Sequence, residues 1–280
     1  MLRETYALTV RELKHWYRIK VQILMTLVQP IVWLGLFGQA FNFSNLFSSF
    51  LPPGTPLPPM NGILGGAPDY FSYLAIGMLG VITLFTCMFG GFSLVWDRRF
   101  GFLTKLRVAP IPRGSVPVSR ISSTMVRALS QAAIVFLIAL AFNYIPGLVG
   151  LTLGVNFDFF DLLGLFLALA LLALGFAGVF IAIALTIENQ ETLMAVVNLL
   201  NLPIMFASAA LFPIAGMPEW LQTVAKYNPL TWAVDAARVF VFQNPNPIHP
   251  VWWSLTALAL FALLMIGVSI FVARKKLSAN

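Results

Sequence analysis

An all-α fold of six membrane-spanning helices is what this sequence predicts, and three observations carry that prediction. Of its 280 residues, 59% are apolar and only 10% charged, against roughly 25% charged in an ordinary soluble domain. The mean hydropathy is +0.88, too high for a globule that must coat itself with polar surface. Apolar runs of about 20 residues, the length that crosses roughly 30 Å of hydrocarbon, recur between charges and Pro/Gly punctuation. A net charge of +7 would elsewhere suggest nucleic acid. Here the basic residues flank the apolar runs, where they report orientation, so no nucleic-acid partner is expected.

Taken in order, the chain reads as one transmembrane domain over 1–280. In residues 1–20, Leu2, Tyr6, Val10, Leu13 and Trp16 or Tyr17 recur at helical spacing, with Arg3, Arg11, Lys14 and Arg18 largely opposite. That pattern describes an amphipathic helix lying on the membrane surface with its aromatic rings at headgroup level. Packing on a partner protein is the other reading of the same pattern. The spans follow at Val21–Phe43, Tyr70–Trp96, Ile121–Tyr144, Phe159–Ile187, Leu193–Phe212 and Val251–Ala273. The first is too long for a signal-peptide core and lacks a small-residue cleavage site, so it is retained. Residues 44–69, rich in Pro and Gly, form an extended excursion between the first two spans.

An even number of spans puts both termini on one side. Arg3, Arg11, Lys14, Arg18 and Lys20 precede the first span; Arg98, Arg99, Lys105, Arg107, Arg113 and Arg120 lie between the second and third; Arg274, Lys275 and Lys276 follow the sixth. Only Arg127, Lys226 and Arg238 fall elsewhere. The positive-inside rule therefore makes both termini and the loop 97–120 cytoplasmic.

The segment 213–250, between the fifth and sixth spans, breaks the simple pattern. Met217-Pro218-Glu219-Trp220-Leu221 and Asn228-Pro229 each place proline at a helix start, the second behind an N-capping asparagine. The second helix, Pro229 to Phe242, is too short to span yet too apolar for a solvated loop. A re-entrant helical hairpin on the external side is the expectation, its Asp235 and Arg238, three residues apart, pairing on one face.

Chemistry has few places to reside. One cysteine, Cys87, and two histidines on opposite sides, His15 and His249, give no metal site, and no H-E-x-x-H occurs. None of the six lysines follows a glycine, so the phosphate loop of ATP-binding proteins is missing. Asp97, Glu188 and Glu191 sit at cytoplasmic ends and Asp158 and Asp161 at an external end. A gradient-driven transporter keeps ionisable groups near the midplane, and a membrane hydrolase needs paired carboxylates or a metal. The chain is accordingly expected to be no enzyme and to bind no cofactor itself. What remains is the loop beginning Asp97-Arg98-Arg99. Phe100, Leu103, Leu106 and Val108 or Ala109 recur at helical spacing beside Lys105 and Arg107 until Pro110 and Pro112 end the pattern. A short basic amphipathic helix of this kind docks into a groove on a soluble partner or rests on anionic lipid, and periodicity leaves both open.

At these residues the sequence resembles the ABC-2 family of ATP-binding-cassette export permeases, which includes daunorubicin-resistance, nodulation-factor and polysaccharide-export membrane subunits. One match runs from Asp97-Arg98-Arg99-Phe100-Gly101 through Leu106-Arg107-Val108-Ala109-Pro110-Ile111-Pro112-Arg113. The other runs from Met217-Pro218-Glu219-Trp220-Leu221 to Asn228-Pro229-Leu230-Thr231 and Asp235-Ala236-Ala237-Arg238.

The resemblance implies a dimer with a second copy or a homologous permease, joined to two copies of a separate nucleotide-binding subunit that holds Mg-ATP. It makes Arg99, Phe100, Gly101, Leu103, Lys105, Leu106, Arg107 and Pro110 the coupling segment, with Glu188 and Glu191 as a second contact. Pro218, Glu219, Asn228, Pro229, Asp235 and Arg238 belong to the external hairpin. For the substrate path the spans offer Trp33, Phe37, Met78, Phe85, Asn198, Asn201 and Phe206, though each has packing as its simpler role. A path poor in charge suits a hydrophobic or amphipathic substrate such as a drug, lipid or lipid-linked glycan. The resulting expectation is an export permease in the plasma membrane of a prokaryote. The rivals are a non-transporting scaffold or receptor for a cytoplasmic protein and a gradient-driven transporter.

Overall fold

The computed structural model describes residues 2–18, 20–40, 60–99, 101, 112–244 and 246–278. Among them regular structure is helical throughout, without a strand. The helices are α1 (Leu2–Arg18), α2 (Lys20–Ala40), α3 (Met60–Ile63), α4 (Tyr70–Arg99), α5 (Ser115–Ala141), α6 (Phe159–Thr186), α7 (Gln190–Phe206), α8 (Glu219–Lys226), α9 (Pro229–Phe242) and α10 (Val251–Ser278). Among the described residues, four stretches are long and apolar enough to cross a membrane: Tyr70–Arg98, Ser115–Tyr144, Phe159–Thr186 and Val251–Lys276. They coincide with the second, third, fourth and sixth runs read from the sequence. In α2, interrupted by Pro30, the apolar part is the shorter Leu27–Ala40.

Helix starts follow local chemistry. At α6, Asp158 accepts from the Phe160 and Asp161 amides at 2.8 and 3.0 Å, and the Asp161 carboxylate accepts the Asp158 amide at 3.2 Å. This reciprocal capping box satisfies amides that have no partner within the helix. Asn189 caps α7 through the Glu191 amide, and Asn228 caps α9 through the Leu230 amide, both at 2.9 Å. Pro229 then occupies the first position of α9 as expected, and α9 runs to Phe242 as read from the sequence. Pro218 stands one place earlier than expected, as the N-cap of α8 rather than its first residue.

The central helix is α6, which packs against α4, α5, α9 and α10. Its buried stripe includes Leu165, Leu169, Leu172, Phe176 and Phe180. Small residues allow the close approaches that hold helices together where lipid tails weaken the hydrophobic drive. At Gly77 of α4 the approach is closest: a Cβ there would stand 1.8 Å from the Ala210 carbonyl oxygen. Because the obstacle is backbone, Gly77→Ala is expected to cost about 1–3 kcal/mol through overpacking, read as a lowered unfolding midpoint in detergent. Gly35→Ala, with nothing within 4 Å of its new methyl, is the comparison expected to leave the midpoint in place. Equal midpoints for the two variants would show that α4 and the Ala210 segment are not in fixed contact.

The fifth run departs most from expectation. The sequence predicts a span to Phe212, but α7 ends at Phe206, three residues after Pro203. Residues 207–213 leave the helix because other elements receive their polar groups. The Asn228 side-chain amide donates to the Ile204 and Ala207 carbonyls at 2.7 Å. Thr231 accepts the Ala209 amide at 3.0 Å. Tyr73 and Tyr70 donate to the Ala209 and Leu211 carbonyls at 2.7 and 3.1 Å. Irregular backbone inside a membrane protein persists only where such partners shield it.

Candidate functional site

The end of the bundle that carries loop 97–120 is built around one buried carboxylate. Glu12 of α1 is 5% exposed, as is Arg120 near the start of α5, and Arg127 two turns further is 8% exposed. Glu12 Oε2 accepts from Arg120 Nη1 at 2.7 Å and from Arg127 Nη2 at 3.4 Å, while its backbone carbonyl accepts from Arg127 Nη2 at 3.0 Å. Oε1 accepts from Arg11 at 2.8 Å. Arg120 also donates to Ser93 Oγ at 3.0 Å and, through Nη2, to the Asp97 carboxylate. Three guanidiniums thus share two carboxylates where α1, the end of α4 and the start of α5 meet.

Buried charge is tolerable only when paired and hydrogen-bonded on several sides. The arrangement meets that condition by drawing three elements together. Asp97 is the last acid before the candidate coupling segment and Arg120 lies beyond it, so the direct bond between them ties together the two helices that flank that segment. Glu12, Arg120 and Arg127 were not among the residues singled out from the sequence. The available signal was Arg127 itself, a lone cation inside an apolar run, which requires an acid from another element.

Arg98 extends the connection sideways. Its guanidinium donates to the carbonyls of Ala184, Leu185 and Ile187 at 3.3, 3.1 and 3.1 Å. These are last-turn carbonyls of α6, the groups a helix leaves unsatisfied and where a cation is favoured. Beside this contact lies a recess of about 540 Å³ lined by Val95, Arg98, Asn189, Gln190, Met194 and the sequence-expected Glu188 and Glu191. Arg98 therefore ties the end of α4 to the end of α6, beside the 187–190 turn. Arg99 ends α4, and Gly101 follows in the left-handed region at φ +71°, its amide bonded to the Arg98 carbonyl at 3.0 Å. Glycine there stops the helix where the sequence pattern changes. Phe100, Leu103, Lys105, Leu106, Arg107 and Pro110 lie outside the described residues.

At the opposite end, Asn228, Pro229, Asp235 and Arg238 come together on α9, while Pro218 and Glu219 are exposed on the separate start of α8. The expected pairing of Asp235 with Arg238 is corrected. Arg238, 2% exposed, donates Nη1 to the Ala209 carbonyl at 2.8 Å and Nη2 to those of Tyr73 and Ala210 at 3.0 and 3.3 Å. Asp235, 3% exposed, accepts the His249 amide at 3.3 Å instead. The break after α7 supplies carbonyls that match the guanidinium fork. Helical spacing alone does not reveal that competing demand.

The candidate path residues lie on three helices, of which α4 packs against α2 and α7. Trp33 and Phe37 stack on α2 with centroids 4.4 Å apart. Met78 is buried and Phe85 partly buried on α4; Asn198 and Phe206 are exposed on α7. Asn201 is buried with its Oδ1 unbonded.

Residues 3–242 match the family model described as ABC-2 type transporter. The chain is 28% identical to a transport permease named ycf38 from Pyropia yezoensis, over 98% of this chain and 87% of the relative. It is 25% identical to nodulation protein J of Neorhizobium galegae, over 80% of this chain and 81% of the relative. A shorter match, also 25% identical, covers 56% of this chain and 53% of a Mycobacterium tuberculosis chain named as the doxorubicin resistance ABC transporter permease protein DrrC.

Proposed function

Because the chain belongs to the ABC-2 type transporter family, we propose that it is the membrane subunit of an exporter driven by Mg-ATP hydrolysis in two copies of a separate nucleotide-binding subunit. In this reading it spans the inner membrane of a prokaryote six times, with both termini cytoplasmic. Helices α2 and α7 supply the first and fifth spans, and α8 and α9 form the external hairpin. A second permease copy completes the path. The substrate is hydrophobic or amphipathic, a drug, lipid or lipid-linked glycan, in keeping with the drug-resistance name of one relative and the low charge of the spans.

The observation that carries the reading is the joining of the 97–120 loop at both ends. Arg120 bonds to Asp97 and Glu12, and Arg98 bonds to the end of α6. In this reading a displacement applied to the segment between them passes to α1, α4, α5 and α6, which these bonds tie together. Phe100, Leu103 and Leu106 act as apolar anchors in a groove of the nucleotide-binding subunit, with Arg99, Lys105 and Arg107 as charged rim. Gly101 and Pro110 bound the segment, while Glu188 and Glu191 offer a second contact.

Affinity purification from native membranes tests this. Recovery of a soluble partner with a phosphate-loop motif is expected, reduced at least tenfold by Leu103→Asp or Leu106→Asp, since either buries an uncompensated charge in an apolar groove. Membrane insertion is expected to be unchanged. Undiminished recovery of the partner with both variants removes the coupling assignment and reopens the scaffold reading.

A further inference from the structure

We propose that α1 carries a binding site for the phosphate headgroup of an anionic phospholipid, formed by Arg11, Lys14, His15 and Arg18. The inference deepens the reading above and rests on its placement of α1 at the cytoplasmic membrane surface. It starts from how the helix is seated. At 100° per residue the exterior of α1 divides into three sectors. Glu12 and Thr9 face α5, through the buried ion cluster and a bond from Thr9 Oγ1 to the Ser119 carbonyl at 3.3 Å. The next sector holds Tyr6, Val10, Leu13 and Tyr17, of which Tyr6 is 73% and Tyr17 72% exposed. The third holds Arg11, Lys14, His15 and Arg18.

Seating through Glu12 thus leaves an aromatic face and a basic face side by side, both turned away from the bundle. Between them Ala7, Val10, Arg11, Lys14, His15 and Arg18 line a recess of about 400 Å³. The ion pairs of the cluster engage Arg11 with Glu12 and Asp97. Among the described residues, Lys14, His15 and Arg18 have no carboxylate within 4.0 Å. A concave site with excess positive charge selects an anionic ligand. The adjoining tyrosines specify where that ligand resides, because amphipathic rings settle at the headgroup level. A phospholipid headgroup satisfies both faces together: its phosphate meets the basic sector while Tyr6, Leu13 and Tyr17 enter the interface beside it. An acidic protein surface satisfies only the basic sector.

The test uses the full-length chain alone in mild detergent, exchanged with an equimolar mixture of dioleoyl phosphatidylglycerol and dioleoyl phosphatidylcholine. Retained lipid is counted by native mass spectrometry. Preferential retention of phosphatidylglycerol is expected, and Lys14→Gln/Arg18→Gln should lower the preference by about tenfold or more. Lys275→Gln/Lys276→Gln, at the end of α10, should leave it unchanged. Both pairs alter exposed side chains, so folding is not at stake. Equal retention of the two lipids by the unaltered chain overturns the site, as does a preference that survives the α1 substitutions or falls equally with the α10 pair. Displacement of the lipid on adding the nucleotide-binding subunit reassigns the face to a protein and overturns it too. No ATPase or transport readout enters, so failure here is distinct from failure of the coupling assignment.

Discussion

Glu12→Ala is expected to destabilise the folded chain by about 3–5 kcal/mol, the usual consequence of stripping one partner from a buried ion pair. The loss is large because of what stays behind. Arg120 and Arg127, 5% and 8% exposed, keep their burial and lose the carboxylate they share. Asp97 alone then faces Arg120. In detergent the variant should unfold at a clearly lower temperature, and if the proposed function holds it should still bind the nucleotide-binding subunit yet respond weakly to substrate, because α1 no longer holds the ends of α4 and α5. Glu12→Gln keeps the volume and removes the charge, so most of the loss should persist. Replacing Glu12, Arg120 and Arg127 together by Met should recover a good part of it, since removing every buried partner costs far less than removing one. A single-variant loss within about 0.5 kcal/mol, the range of ordinary surface substitutions, would show that the cluster is solvated and that the ends of the loop are joined by something else.

How much of this was legible in the sequence depends on whether a residue's partner is local. The start of α9 at Asn228-Pro229, its end at Phe242 and four of the long spans follow from short-range rules: a cap, a proline at the first position, an apolar run of sufficient length. The end of α7 did not follow, because the carbonyls of residues 209–211 are received by Tyr70, Tyr73 and Arg238, which are between 28 and 141 residues distant along the chain. The Glu12 cluster was hidden for the same reason. On its own helix Glu12 is one acid among basic neighbours, and its true partners lie 108 and 115 residues away. Of the candidate site, the bond from Arg98 to the carbonyls at the end of α6 was not foreseen either, because its acceptors lie 86 to 89 residues away.

At the other end of the bundle, Arg238→Leu should be nearly as costly as the loss of Glu12, for the opposite reason: the chain would lose a donor set rather than a charge partner. The guanidinium serves three carbonyls, those of Tyr73, Ala209 and Ala210, and lies over the Tyr73 ring with Cζ 3.5 Å from its centroid. The Ala209 carbonyl keeps its bond from Tyr73, but the Ala210 carbonyl loses the guanidinium, a buried acceptor left unbonded costs about 1–3 kcal/mol, and the ring contact adds to the loss. Asp235 would also lose the nearest cation on its own helix while remaining 3% exposed. Two comparisons separate geometry from charge. Arg238→Lys keeps the charge but replaces a planar fork with a single ammonium that cannot reach carbonyls on α4 and on the 209–210 segment in the same way, so it should retain less than half of the stabilisation. Tyr73→Phe removes only the bond to the Ala209 carbonyl and should cost about 1 kcal/mol. The expected order of unfolding midpoints is therefore Tyr73→Phe highest, Arg238→Lys intermediate and Arg238→Leu lowest. If lysine matched arginine, the demand at this position would be for charge alone, and the segment after α7 would have to be held by Tyr70, Tyr73, Thr231 and Asn228 without it.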